Sequence, residues 1–415
     1  MSSSTVMTQR KPRIGIIGGG IGGVALAASL LQRGFEVRLF ERAGAFGEIG
    51  AGIQMTPNAV KVMRELGLMD RMLEAGFLPN ALVGHNWRTG REIFRTPLKE
   101  VCPTLYGAPF IHIHRADLHH ALASLVPDEV PTFSTSCTDV SWEGETAVAT
   151  FADGSSFEAD LIVGADGVRS VVRSKLFGAE EALFTGNMCY RAVVPTGGVV
   201  DYVDPDGSFW LGPHGHIVTY YVKGGTAVNI VAVAETDAWV EESWNAPSSN
   251  EEMLASYQGW HPNVEKLFSQ VEEVYRWGLF DRDPMKSWSK GRVTLLGDAA
   301  HPMLPFLSQG AAMAIEDAYV LAASLDAHGA DYSSAFRDYE AERLPRTSRV
   351  QLEARERGRT YHLPSAFSQA KRDFVYWLRG LINPQTTGLK ANWVYEYNAT
   401  DFRPTVAADA ARRVA

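Results

Sequence analysis

The chain has 415 residues, 46% of them hydrophobic and 21% charged, with a formal net charge of -9. That length points to two domains or one large composite domain, and an acidic surface excludes generic nucleic-acid binding without forbidding an anionic substrate, for which one local cationic pocket is enough. No run approaches the ~20 apolar residues that span a bilayer, and MSSSTVMTQRKP lacks the apolar core of a secretory signal, so a cytoplasmic protein without membrane or nucleic-acid partners is expected.

In chain order, residues 1–11 read as a disordered leader. Arg13 to Gly18 (RIGIIG) is a short apolar strand entering a glycine loop, Ile21 to Arg33 a helix with small residues on its sheet side, and Phe35 to Arg42 a second buried strand. Asn58 to Gly76 is predicted helical with glycine punctuation. His112 to Val126 begins as a strand and turns helical near Ala116, with Asp117 in the first turn. Residues 136–160 alternate around Asp153–Gly154, a hairpin signal. From about 183 to 280 the segments CYRAVVP, SFWLGP, HIVTYYVK and TAVNIVAVAE predict an inserted antiparallel sheet. Val293 to Gly297 returns as a buried strand, a long helix starts near Gly310, and helical segments continue to about Arg379. Cys102, Cys137 and Cys189 are widely spaced and odd in number, which suits free thiols rather than a disulfide framework or a metal site.

Three separated motifs carry the chemistry. GIIGGGIGG supplies Gly18, Gly20 and Gly23: a tight turn, a close approach for a pyrophosphate, and a close helix–strand contact that leaves helix N–H groups facing the phosphates. Glu41, with Arg42 beside it, ends the second strand where a carboxylate accepts ribose hydroxyls. DLIVGADGVRS (Asp160 to Ser170) is the second motif and GRVTLLGDAAHP (Gly291 to Pro302) the third. Asp298 suits a second hydroxyl chain or, equally, a cap or turn position. Paired with the first motif, the ligand reading is preferred.

GIIGGGIGG with Glu41, GADG at Gly164–Gly167 and GDAAHPMLPFLSQGAAMAIEDA at Gly297–Ala318 resemble the single-component FAD-dependent aromatic hydroxylases over about residues 12–400. The resemblance implies FAD as a held prosthetic group, NADH or NADPH as transient reductant, O₂ and a small aromatic as co-substrates, and oxygen carried as a flavin C4a-hydroperoxide. It implies a mixed α/β fold: a Rossmann-like FAD-binding domain with a parallel sheet (12–182 and 281–330), a substrate-binding antiparallel sheet (183–280), C-terminal helices (331–400) and a flexible tail (401–415). Dimers are common among such enzymes, so a homodimer is a further expectation. Residue by residue, it places Glu41 at the adenosine ribose, Arg115 at the pyrophosphate or ribityl region, Asp298 at the ribityl chain, Gly310 and Ala311 beside the flavin ring, and Gly52 in the loop Gly47–Ile53 near the isoalloxazine. Asp166 belongs to a motif linked to FAD and nicotinamide, or else holds a strand-to-helix turn together with Arg169.

On the substrate side, alternation places His214, His216, Val218 and Tyr220 on one strand face. The segment is similar to the histidine-and-tyrosine strand of salicylate, 3-hydroxybenzoate and 6-hydroxynicotinate hydroxylases. This similarity implies His216 as base and Tyr220 as a substrate hydrogen-bond partner; the alternative is that both are satisfied sheet residues. His301 ranks below His216, its place in GDAAHP suiting motif architecture. Met303, Leu304, Pro305 and Phe306 are expected to form apolar walls for a planar ring. Pro305 stands near a glutamine of the 3-hydroxybenzoate enzymes, and Phe306 near a histidine of the 6-hydroxynicotinate and many salicylate enzymes. Neither substrate signature is reproduced. GWHPNVEKL, YRWGLFDRDP and NWVYEYNA look most like the salicylate and 6-hydroxynicotinate branch, in which CO₂ loss often accompanies hydroxylation. Open alternatives are a 3- or 4-hydroxybenzoate type of hydroxylase and a flavoprotein oxidoreductase that does not insert oxygen.

Overall fold

The computed structural model describes residues 11–47, 51–236, 246–385 and 392–406. Most of the expected leader, part of the loop at 47–53 and the end of the expected tail lie outside the described residues. β1 (Arg13–Ile17), α1 (Ile21–Gln32) and β2 (Glu36–Phe40) form the opening βαβ unit. Then come β3 (Gly52–Met55), α2 (Pro57–Glu65), α3 (Met69–Ala75), β4 (Ala81–Asn86), β5 (Glu92–Pro97) and α4 (Val101–Tyr106). β6 (Ile111–His114) leads into α5 (Arg115–Ala123), followed by the short β7 (Pro131–Thr132). β8 (Cys137–Glu143), β9 (Thr146–Phe151), β10 (Ser156–Ala159), β11 (Leu161–Gly164) and α6 (Val171–Phe177) complete the first part. β12 (Leu183–Pro195), β13 (Gly207–Gly212), β14 (Gly215–Val222), β15 (Ala227–Glu235) and β16 (Ala246–Ser248) precede α7 (Asn250–Ser256), α8 (Pro262–Phe268) and β17 (Val274–Asp281). β18 (Val293–Leu295) is followed by α9 (Gly310–His328), α10 (Tyr332–Tyr361), α11 (Ala366–Ile382) and α12 (Asn392–Glu396).

The fold is mixed α/β. A five-stranded parallel sheet runs in the order β18-β11-β1-β2-β7. β11 and β18 are fully buried, as strands covered on both faces must be, which is why they read as continuous apolar runs. α1 lies close to this sheet and to α9 because its contact face is small: a Cβ on Gly22 would stand 2.6 Å from Leu296 and 3.1 Å from Ala314. No described helix is long and apolar enough to cross a membrane.

Several local expectations are corrected. The helix expected over Asn58–Gly76 is two helices, α2 and α3, because Gly67 adopts φ +78° between them. The hairpin at 136–160 is a three-stranded meander; Asp153–Gly154 forms its second turn, and its first passes through Gly144 at φ +56°. The second large sheet has eight strands in the order β16-β17-β12-β15-β14-β13-β4-β5, so β4 and β5 join it from residues 81–97, within the segment expected to belong to the first domain. β4 pairs with β13 in parallel, so this sheet is not wholly antiparallel. His214 is not on the strand face: it sits in the two-residue turn between Gly212 and Gly215 at φ +57°, and β14 begins after it.

Candidate active site

β11, β1 and β18 are neighbours, so the three glycine motifs, far apart in sequence, meet at the carboxyl ends of adjacent parallel strands. Gly18 turns with φ +110°, and a Cβ there would lie 2.4 Å from the Ala165 carbonyl oxygen. On Gly23 it would lie 2.0 Å from the Gly18 oxygen. Gly20, by contrast, faces open space, and no side chain caps α1 behind it. The first N–H groups of α1 are therefore left for a ligand. Glu41 braces this loop: Oε2 accepts from Gly19 N–H at 2.7 Å and Oε1 from Ala43 N–H at 2.8 Å. Asp166 takes the strand-to-helix role, accepting from Val171 N–H at 2.7 Å and from the Ser170 hydroxyl at 2.5 Å at the start of α6.

A cavity of about 330 Å³ opens between this loop and the eight-stranded sheet. Its wall brings together Gly20, Gly52, Arg115, Asp298, Gly310 and Ala311 with His216, Tyr220, Met303, Pro305 and Phe306. Gly18, Gly23, Glu41 and Arg42 are not on that wall: the two glycines shape the turn, Glu41 holds it, and Arg42 is exposed. Asp298 presents its side chain to the cavity. Both Asp298 and Arg115 are solvent-exposed where they border it, and the protein packed around them shifts both: it raises the Asp298 pKa, partly offset by His301 and Arg115, and lowers that of Arg115, opposed by Asp298. The two form an opposed cation and anion facing one space.

From the sheet, β14 sends His216, Val218 and Tyr220 inward by simple alternation. The Tyr220 ring lies 4.6 Å from that of His112, and a Cβ on Gly52 would stand 2.5 Å from Tyr220 Cε2, so glycine is what admits the tyrosine. Gly52 N–H donates to Asn229 Oδ1 at 2.6 Å, pinning the β3 backbone to β15. His216 is only 2% exposed, and its Nδ1 lies 2.7 Å from His362 Nε2. Burial, and then the adjacent His362, hold the His216 pKa well below the usual histidine value, so the ring is neutral. Burial also raises the Tyr220 pKa, keeping the phenol protonated.

His301 is motif architecture: Nε2 meets Asp317 Oδ2 at 2.5 Å, and Asp317 in turn accepts from Arg343 Nε at 2.7 Å. Burial alone would raise the Asp317 pKa, but His301 and Arg343 outweigh it and hold the carboxylate ionised. Sequence reasoning missed Arg191, Trp277, Gln54 and Arg282, which also line the cavity, and His362 behind His216. Arg191, whose guanidinium stands 4.6 Å over Trp277, carries a signal: it is a lone charge within an apolar strand. His362 carries none, since it follows the heavily charged α10.

This geometry defines a class, a dinucleotide-binding parallel sheet whose cofactor cradle shares one cavity with a histidine-and-tyrosine sheet. The model of the FAD binding domain family matches residues 11–354. The 3-amino-4-hydroxybenzoate 2-monooxygenase PtmB3 of Streptomyces platensis is 42% identical over 370 residues, covering 89% of this chain and 93% of that one. The 6-hydroxynicotinate 3-monooxygenase of Bordetella bronchiseptica is 41% identical over 349 residues, 83% of this chain and 90% of the relative. A salicylate hydroxylase–substrate complex superposes with TM-score 0.79 at 28% identity, covering 96% of this chain and 98% of the other. The chain therefore belongs to the FAD binding domain family, as an FAD-dependent aromatic-ring monooxygenase of the hydroxybenzoate and hydroxynicotinate hydroxylase type.

Proposed function

We propose that this enzyme consumes NADH or NADPH and O₂ to hydroxylate a six-membered aromatic or pyridine ring that carries both a hydroxyl and a carboxylate. One oxygen atom enters the ring and the other leaves as water. The observation that carries the reading is the placement of His216 and Tyr220 across one cavity from Asp298, Gly310 and Ala311. The relatives support the substrate class, since their names specify rings bearing these two groups.

The residues suit FAD. The uncapped start of α1 at Gly20 would hold the pyrophosphate together with Arg115, Asp298 would accept ribityl hydroxyls, and the start of α9 at Gly310–Ala311 would face the ring. When bound, FAD supplies the oxygen activation that amino-acid side chains lack. The protein's part is positioning and proton handling. With Nδ1 engaged by His362, His216 Nε2 is the nitrogen left to accept a hydrogen bond from the ring hydroxyl. That bond raises electron density on the ring. As the ring takes up oxygen its hydroxyl becomes far more acidic, so a neutral histidine of low basicity can take the proton in the transition state. His362 Nδ1 lies 3.7 Å from Glu235 Oε1, and the half-exposed Glu235 gives that proton an outlet to solvent. Met303, Leu304, Pro305 and Phe306 line the same cavity, with Phe306 against His216, and exclude water from it.

The test is NADH and NADPH oxidation with product mass for 3-amino-4-hydroxybenzoate, 6-hydroxynicotinate, salicylate, and 3- and 4-hydroxybenzoate. Stimulated oxidation with a product carrying one added oxygen is expected for at least one acid, and CO₂ release would mark attack at the carboxylated carbon. Oxidation that no member stimulates, or peroxide with no hydroxylated product, contradicts the reading.

A further inference from the structure

Behind Phe306 lies a second, smaller cavity of about 40 Å³, whose walls include Gln54, Phe110, Phe209, Phe306, Arg357 and Tyr361. At ~10–15 Å³ per water-sized group, it has room for about three such groups. Gln54, Phe209 and Phe306 line both cavities, so these side chains are the wall that the two share. Phe306 is held in place as this partition. Its ring lies edge-on to His216 at 5.4 Å, and it rests on Gly358, where a Cβ would come within 2.5 Å of it.

Arg357 is the unusual member of the wall. It is 8% exposed, and among the described residues no carboxylate pairs with it. Its partners are phenols: Tyr376, which bonds its side chain, the Tyr361 ring centred 5.9 Å away, and Tyr395; burial alone would lower its pKa, but these tyrosines raise it. Burial pushes the Tyr361 pKa up to about 12 and that of Tyr395 higher still, so neither supplies a negative charge. The other buried arginines of α10 are compensated: Arg343 by Asp317 and Arg346 by Glu316. A guanidinium held out of water without an anion is costly, and an anionic ligand group entering this cavity would complete it. The planar fork of arginine matches a carboxylate in shape as well as charge.

We propose that Arg357 anchors the substrate carboxylate in this second cavity, holding the ring against Phe306 with its hydroxyl toward His216. The inference deepens the functional reading above and rests on it. Anchoring one end of a planar ring while His216 binds the hydroxyl fixes which ring carbon faces the flavin. Arg357 thereby becomes a determinant both of substrate choice and of the site of attack.

The experiment titrates the flavin absorbance of the holoenzyme, without reductant, using two matched pairs: 6-hydroxynicotinate with 6-hydroxynicotinamide, and 3-amino-4-hydroxybenzoate with its carboxamide. Wild type should bind at least one acid about tenfold or more tightly than its amide. Arg357→Gln should weaken that acid about ten- to hundredfold and the amide by less than about threefold, as expected for loss of a charge-assisted hydrogen bond. Arg357→Lys, which keeps the cation, should retain part of the preference and serves if the glutamine variant loses flavin. Equal binding of acid and amide by wild type overturns the proposal, as does a parallel loss for both ligands in Arg357→Gln. A wild-type amide complex tightened by added formate or phosphate, with no preference for the acid, would assign the cavity to a free anion instead. If no acid in the turnover panel stimulates oxidation, the functional reading fails. If acids stimulate but acid and amide bind alike, only the anchor fails.

Discussion

The cofactor cradle and the sheet wall that faces it are built on opposite principles. The cradle is made of backbone: Gly18 and Gly23 could not carry a Cβ without striking Ala165 or each other's turn, and Gly20 leaves space open before an uncapped helix. The wall is made of side chains, His216 and Tyr220 from β14 backed by His362 and His112 from other elements. Backbone sites demand particular residues at fixed spacing, so they are the same wherever the cofactor is the same. Side-chain sites vary with the substrate, and here Pro305 and Phe306 contribute apolar groups to the wall beside His216.

That contrast makes graded predictions. The largest effect should come from the cradle: Gly23→Ala places a Cβ about 2.0 Å from the Gly18 oxygen, forcing α1 off the turn. Overpacking of this kind costs about 1–3 kcal/mol or more, and here it strikes the helix start proposed above to hold the pyrophosphate. The purified variant should be nearly colourless, and flavin content equal to wild type would break the backbone account. Asp298→Ala should weaken FAD retention about ten- to hundredfold by removing a charged acceptor, measured by flavin release on dilution. Unchanged retention would move Asp298 out of the cradle.

The wall predicts a pH effect of about 1.4 kcal/mol per pH unit. Burial holds His112 neutral, with its pKa down to about 3 against ~6.5 in an unfolded chain. The unfolded state therefore binds a proton that the folded state refuses between those values. Stability attributable to the neutral ring is intact above about pH 6.5 and is lost progressively as pH falls toward 3. His112→Gln should flatten this slope in urea titrations at pH 7, 6 and 5, whatever its effect at neutral pH. Parallel slopes for variant and wild type would show that His112 is protonated without penalty.

The same contrast explains what the sequence disclosed. The β1-α1-β2 unit was legible because glycine spacing and apolar periodicity are local signals, and the three motifs announced one ligand before their convergence could be seen. The face of β14 was legible from His216 onward; His214 was misplaced because the tight turn after Gly212 shortens the strand. The membership of β4 and β5 in the second sheet was hidden, since the pairing of Leu82 with Gly207 spans a large sequence separation and leaves no local trace. His362 and Arg357 were hidden for a related reason. They lie at the end of α10, whose charged composition reads as a solvated face although its inner side packs against Phe306.

The proposed function stands on His216 handling a proton of a substrate held in the same cavity as the cofactor. The most direct measurement is hydroxylated product formed per second by His216→Ala and wild type at equal flavin content, with whichever acid stimulates wild type. The account predicts a fall of about 10²- to 10⁴-fold in product with FAD fully retained. Undiminished product from the alanine enzyme would contradict it.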